Sequence, residues 1–413
     1  DRCYNTDQMR MEMALISGLE RALPRARGGL PRTIIPNRVA LPRLFGTEAI
    51  DSSLLTVELT DEPKIKIPHT ELKFGCSFTD HMLEIDWKRE SGWENPKISK
   101  FRNFEISPAA SCLHYAVECF EGMKAYKDKD GGIRLFRPDK NLQRMAFSMQ
   151  RMAMPDLDQG EFLECIKALL RVDSSWFPEA RGYSLYLRPT CIGTHPLLGL
   201  GRSDAFKLFC ILSPVGPYYP AGFRPVALRA DAARVRAWPG GVGNAKVGGN
   251  YGPTIEPQLK ANKEGYQQVL WLFGENHSIT EVGSMNLFFL IRQKESGRPE
   301  LVTAPLTRGD ILPGVTRDSV LALGRERRPD LDVAERFLTM AEVVEASDEG
   351  RLMECFGAGT AAIVCPVNSI HYMGKDITLP TGSEIGPVAQ YFFEEITAIQ
   401  YGDRSDHPWS VLI

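Results

Sequence analysis

Residues 214–225, PVGPYYPAGFRP, hold four prolines and two glycines among aromatic side chains, the composition of a stiff connecting loop. They divide the chain into two stretches of strand and helix patterns. Before the loop, HMLEIDW, GIRLFRP, YSLYLRPTCIG and AFKLFCILSPVG read as strands, whereas NLQRMAFSMQRMAM and GEFLECIKALLRVDSSW space apolar residues three and four apart, as amphipathic helices do. Beyond it come another strand, a glycine-rich turn around Lys246, a hairpin-like pair across QQVLWLFGENHSITEVGSMNLFFLI, and helices starting near Thr316 and Met340. A length of 413 residues fits two domains of about 150 residues each with connecting segments. The expected class is α/β (α+β): a segment 1–50, a smaller domain 51–214, an interdomain loop 215–224 and a larger domain 225–413.

Segment 1–50 is read as a targeting or disordered segment. Between Met9 and Arg43 it has seven arginines, no lysine and two glutamates, and MALISGLERAL has the pattern of a short amphipathic helix. A mitochondrial transit segment fits this composition, and a solvated tail of a cytoplasmic protein is the alternative. No apolar run approaches the roughly 18 residues a membrane-spanning helix needs, so no membrane partner is expected. A net charge of −3 without lysine-arginine blocks gives no footprint for nucleic acid. The nine cysteines form no C-x-x-C pair, which suits a reducing compartment, and the seven histidines form no ligand motif, so no metal is expected.

The chemistry concentrates in WPGGVGNAKVGGNYGPTIEP, residues 238–257. Lys246 lies among Gly240, Gly241, Gly243, Gly248 and Gly249, where a backbone without side chains lets a planar ligand approach. No other cation lies within seven residues, so desolvation is the route to a free, nucleophilic amine. A phosphate-binding P-loop needs glycine before its lysine and Ser or Thr after it; Ala245 and Val247 stand there instead. A glycine-rich surface loop is the plain alternative.

Other segments point the same way. Glu281 ends an apolar strand, where a carboxylate needs a cationic or hydrogen-bonding partner, such as a protonated pyridine nitrogen; alone it also fits a turn. Gly314, Val315 and Thr316 start a helix whose free N–H groups suit a phosphate, although Thr316 also fits an ordinary cap. Thr360 adds a hydroxyl on a second turn.

Together, YAVECFEGMKAY, LYLRP, VGGNYG, TEVGSMNLF, LPGVTR and GAGTA resemble the branched-chain aminotransferases, fold-type-IV pyridoxal-phosphate enzymes, in the family's order and approximate spacing. The likeness is to the eukaryotic form and runs from residue 74 to near residue 406. It implies a two-domain fold-type-IV structure, pyridoxal 5′-phosphate as cofactor and a homodimer. It makes Lys246 the Schiff-base lysine and the proton carrier, Glu281 the partner of the pyridine nitrogen and Tyr251 that of the ring hydroxyl. Arg144, Val315, Thr316 and Thr360 would hold the phosphate. The substrate side would use Phe74, Tyr115, Phe120, Tyr186, Arg188, Tyr218, Ser284 and Ala361, with Leu198 and Leu200 from the partner subunit. The implied reaction takes the amino group of leucine, isoleucine or valine and passes it to 2-oxoglutarate in two stages. Arg188 and nearby tyrosine hydroxyls are the candidates for the polar contact that a carboxylate-bearing chain needs in an apolar pocket.

The alternatives are a D-amino-acid aminotransferase or aminodeoxychorismate lyase of the same fold, or a binding protein that kept the fold without catalysis. One departure stands out. Animal members carry C-x-x-C after the Gly-x-Gly-Thr turn, and here Ala362 takes the first place and Cys365 the second. A lone Cys365 in an apolar run reads as a packed hydrophobe, not a redox sensor.

Overall fold

Strand patterning with a two-residue period is plainest in Ala205–Val215, where Phe206, Leu208, Cys210 and Leu212 are buried in alternation. A computed structural model describes residues 49–217, 224–404 and 406–413. The arginine-rich segment up to residue 48, its MALISGLERAL pattern and Tyr218 lie outside the described residues.

Two sheets organise the chain. The first contains β1 (Thr56–Val57), β2 (His81–Lys88), β3 (Gly92–Trp93), β4 (Lys97–Lys100), β5 (Glu118–Phe120), β6 (Met123–Lys127), β7 (Ile133–Phe136), β8 (Ser184–Gly193) and β9 (Ala205–Val215). Its order is β1-β4-β2-β9-β8-β6-β7, with β3 on β2, β5 on β8, and the C-terminal strand Ser410–Leu412 returning to pair with β7. All its pairings except β1–β4 are antiparallel.

The second sheet contains β10 (Val226–Asp231), β11 (Gln268–Phe273), β12 (Ser278–Val282), β13 (Met285–Arg292), β14 (Pro299–Thr303), β15 (Asp332–Glu335), β16 (Leu352–Gly359), β17 (Ile363–Tyr372) and β18 (Lys375–Thr378). Its order is β12-β11-β10-β17-β16-β13-β14-β15, and β12 also pairs with β13. That extra pairing closes the run from β12 round to β13 into a barrel, which leaves those strands without a free edge. The expected hairpin-like pair is a meander of β11, β12 and β13, because the short turn at Gly283–Ser284 reverses the chain a second time.

The helices are α1 (Ser111–Tyr115), α2 (Pro138–Arg151), α3 (Gln159–Val172), α4 (Ile255–Lys263), α5 (Val315–Arg327), α6 (Met340–Asp348) and α7 (Pro387–Gln400), and α2, α3, α5 and α6 fall where the sequence placed them. Three of them were not anticipated. In α4 only Pro257 and Ala261 are buried, so it carries no apolar stripe, and α1 is a single short turn of helix. In α7 the stripe Val388, Phe392, Ile396 and Ile399 is present in the sequence behind Pro387. Helix α2 positions the site. Leu142, Met145 and Met149 pack into the first core, while the adjacent stripe Asn141, Arg144 and Ser148 is also buried and polar. A buried polar stripe requires partners, and the pocket beside it supplies them.

Candidate active site

Lys246 is fixed through its backbone before its side chain does anything. Its N–H donates to Ser148 Oγ of α2 at 2.8 Å, and its carbonyl accepts the Phe120 N–H of β5 at 3.0 Å. Asn250 Nδ2 closes the loop by donating to the carbonyls of Val242 (2.8 Å) and Ala245 (3.0 Å). Two of the glycines here are required by the protein's own packing. A Cβ on Gly248 would lie 1.8 Å from Glu118 Oε1, and one on Gly243 2.8 Å from the Asp310 backbone.

The Lys246 amine donates to Tyr251 Oη at 2.9 Å and lies 4.6 Å from the centre of the Phe120 ring. Enclosure strips water from the ammonium and is the largest cause of an amine lowered to about 7; Arg144 and Arg188 push the same way, while Glu121 and Glu281 oppose them. Enclosure also pushes the Tyr251 hydroxyl up to about 12, so it stays protonated at neutral pH.

Beneath lies Glu281 on β12, 2 % exposed. Its Oε2 is 2.6 Å from Arg236 Nε, and its Oε1 accepts the Leu312 N–H at 2.8 Å and Asn286 Nδ2 at 3.2 Å. Burial raises its pKa, with Arg236 the main opposing influence. The cation that the sequence reading looked for in a ring nitrogen is thus already present as Arg236. Arg236 stands two residues after Arg234, and nothing in the sequence tells the two arginines apart. Arg144 is gripped in turn: its Nε and a terminal nitrogen reach the two oxygens of Glu121 at 2.6 and 2.8 Å. Glu121 stands inside a quoted segment, but only the folded chain shows that it meets Arg144.

At the opposite wall α5 begins at Val315 after Gly314, with no side-chain cap. Thr316 is therefore not the cap, and the uncapped N–H groups with the helix dipole favour an anion. Thr360 stands on the turn between β16 and β17, its Oγ1 3.4 Å from the Gly122 carbonyl.

A cavity of about 320 Å³ joins these groups. Lys246, Tyr251, Arg144, Val315, Thr316 and Thr360, expected on the cofactor side, line it together with Phe74, Phe120, Tyr186, Arg188, Ser284 and Ala361, expected on the substrate side. Gly314, expected at the helix start, also lines it, as do Gly122, Asn286, Leu312, Ala358 and Gly359, which the sequence did not mark: four are small or apolar, and Asn286 is a lone amide in an apolar strand. Glu281 sits under the lining, reaching it through Asn286 and Leu312. Tyr115, Leu198 and Leu200 do not line the cavity; they share an exposed stretch where the Tyr115 hydroxyl donates to the Leu198 carbonyl. Among the described residues no cluster of His, Cys, Asp and Glu suits a metal ion, and no helix is long and apolar enough to cross a membrane.

The profile of the amino-transferase class IV family matches residues 118–370. The chain is 50% identical over 376 residues to a branched-chain-amino-acid aminotransferase of Monosiga brevicollis, covering 91% of this chain and 95% of that one. It is 48% identical over 382 residues to the mitochondrial enzyme of that name in Rattus norvegicus (92% and 96% covered), and 47% over 368 residues to the cytosolic one of Saccharomyces cerevisiae (88% and 98%). Its fold matches the Escherichia coli branched-chain amino acid aminotransferase with a TM-score of 0.63 at 24% identity, covering 79% of this chain and 98% of that one. A lysine amine lowered towards neutrality, a buried carboxylate beneath it and an uncapped helix facing the same cavity agree with that likeness. The chain belongs to the branched-chain-amino-acid aminotransferases of the class IV family.

Proposed function

We propose that this chain transfers the amino group of leucine, isoleucine or valine to 2-oxoglutarate, with pyridoxal 5′-phosphate held at Lys246. The observation that carries the reading is the Lys246 amine, lowered to about 7 and bonded to Tyr251 inside the cavity. The pocket fits that cofactor: an amine, a buried carboxylate, an uncapped helix start and a threonine hydroxyl converge on one space. The stranded, buried Nε of Arg188, without a partner among the described residues, is a donor awaiting a ligand.

When bound, pyridoxal phosphate supplies an electron sink for the pair left behind as a proton leaves the substrate Cα. Lys246 Nζ would take that proton from Cα and deliver it to C4′ of the cofactor, and the same transfer run in reverse would serve the second half of the exchange. Glu281, kept ionised by Arg236 and the Leu312 N–H, holds a proton on the ring nitrogen. Tyr251 orients the ring hydroxyl. Val315, Thr316 and Thr360 bind the phosphate, with Arg144 aimed by Glu121. Phe74, Phe120 and Tyr186 shape an apolar wall, and Arg188 meets the second carboxylate of glutamate or 2-oxoglutarate.

Residues 51–214 and 225–413 are taken as two domains, a division supported by the strands of each sheet, with Ser410–Leu412 the exception. A homodimer, in which Leu198 and Leu200 complete the partner's pocket, is supported by their exposure. Relatives bear both mitochondrial and cytosolic names. The arginine-rich segment favours the mitochondrion.

The test is a substrate panel on purified protein. L-Leucine, L-isoleucine and L-valine should react with 2-oxoglutarate, and the visible absorption of the protein should be bleached by borohydride. Preference for D-alanine, or colourless protein that takes up no cofactor, would refute the reading.

A further inference from the structure

Lys124 has no place in the chemistry above, yet its surroundings are unusual for a lysine. It lies on β6, 8 % exposed, and its amine donates to the Ala361 carbonyl at 2.8 Å. That carbonyl belongs to the second sheet's turn between β16 and β17, so the contact spans from one sheet to the other. The same turn is joined to the same stretch of chain a second time, through Thr360 Oγ1 and the Gly122 carbonyl. Opposite Lys124 in the ladder stands Tyr186 of β8, and Arg188, two residues on, shares that face. Both line the cavity, as do Thr360 and Ala361 of the turn. Burial of a lysine without an acidic partner costs stability and needs a compensating use.

We propose that Lys124 is a positioning residue for the transamination: its ammonium ties the Thr360–Ala362 turn to β6 and so sets where the turn meets the substrate and the phosphate. The inference rests on reading this cavity as the active site. A charge-assisted bond from an ammonium to a carbonyl is stronger than the bond a neutral amine makes, so the tie depends on the proton. Burial is the one resolved influence on the amine, which it lowers to about 8. On β8 the ionisable groups of this face are Tyr186 and Arg188; the turn, Thr360 to Ala362, has none, and no acidic side chain bonds the amine among the described residues. Loss of the proton above that pH therefore loosens the turn, and binding weakens before chemistry does.

The experiment compares holoenzyme, Lys124→Met and Lys124→Arg, measuring kcat and KM for L-leucine and 2-oxoglutarate from neutral to alkaline pH. Lys124→Met should raise KM roughly tenfold with kcat less affected, the loss of one charge-assisted bond. Lys124→Arg should restore KM, because a guanidinium reaches the same carbonyl. In the parent enzyme kcat/KM should decline through about pH 8. That decline should vanish in Lys124→Arg, since arginine keeps its proton to above about pH 12. An unchanged KM in Lys124→Met, or the same alkaline decline in Lys124→Arg, overturns the proposal. Should Lys124→Met not fold, the profile of Lys124→Arg decides alone. Lys246→Ala runs in parallel: turnover surviving there would mean that the cavity itself is misread, a failure separate from that of Lys124.

Discussion

At the floor, under the cavity lining, Glu281 is 2 % exposed and bonded to Arg236, Leu312 and Asn286, whereas Leu198 and Leu200, on an exposed edge of the chain that does not line the cavity, are 65 % and 83 % exposed. The floor is complete within one chain. Every group that would tune the cofactor there is held by a second group from another element: Lys246 by Ser148 and Phe120, Arg144 by Glu121, Glu281 by Arg236. Such arrangements keep their geometry whether or not a ligand is present, which suits chemistry that tolerates little displacement. The exposed stretch has large apolar side chains and no cover, the condition of a surface that a partner completes. The contrast teaches that buried polar groups in this chain are held by one another, while its exposed apolar side chains are held by nothing comparable.

The sharpest way to break the floor is Lys246→Ala, which should lower turnover by at least roughly a thousandfold while the protein stays folded, because one amine serves as anchor and proton carrier. The same amine sets an acid limb. Once freed for the proton transfer, the amine must be unprotonated to accept a proton, so kcat of the parent enzyme should fall towards acid pH. A flat profile down to acid pH would remove Lys246 from the proton path.

Glu281→Gln comes next. It should retain cofactor, seen as visible absorption, yet lose about a hundredfold in kcat, because an amide stabilises a protonated ring nitrogen far less than a carboxylate does. Near-parental kcat would mean that Arg236 and Glu281 are a structural pair only.

The edge should respond differently. Leu200→Asp is expected to shift the protein towards monomer in sedimentation and to raise KM by roughly fivefold, with the spectrum of the bound cofactor unchanged. A variant that sediments like the parent with unaltered KM would separate this surface from the pocket.

The smallest effect is expected from Cys365. It is 1% exposed and packs in the same core as Cys355, whose thiol burial pushes well above the ordinary range, so Cys355 is no ready thiolate partner for it. Cys365→Ser should cost about 1–2 kcal/mol of stability, from a hydroxyl placed in an apolar core. Mild peroxide should change activity by less than about twofold. Reversible loss at low peroxide that Cys365→Ser abolishes would reveal a sensor after all.

Much of this was legible in the chain itself. Lys246, Glu281 and Thr316 each stand in short segments whose composition is local: glycines around a lysine, an acid closing an apolar strand, a hydroxyl at a helix start. Strands β2, β7, β8 and β9 of the first sheet and helices α2 and α3 followed from period, because burial on one face imposes it, whereas β1 and β3 to β6 did not, the two-residue β1 and β3 being too short to show one. Tertiary structure decided the rest. That β12 pairs with both β11 and β13 and closes a barrel depends on which edges meet. That Arg236 neutralises Glu281, that Glu121 grips Arg144, and that Lys124 reaches across to Ala361 are contacts between residues distant in sequence. Of the glycines near Lys246, Gly248 makes room for Glu118 and Gly243 for Asp310, neighbours that the sequence alone does not reveal. Local pattern records which face of an element is buried. What each buried polar group meets there is settled only when the elements pack, since a charge deprived of water takes its partner from whatever the fold brings beside it.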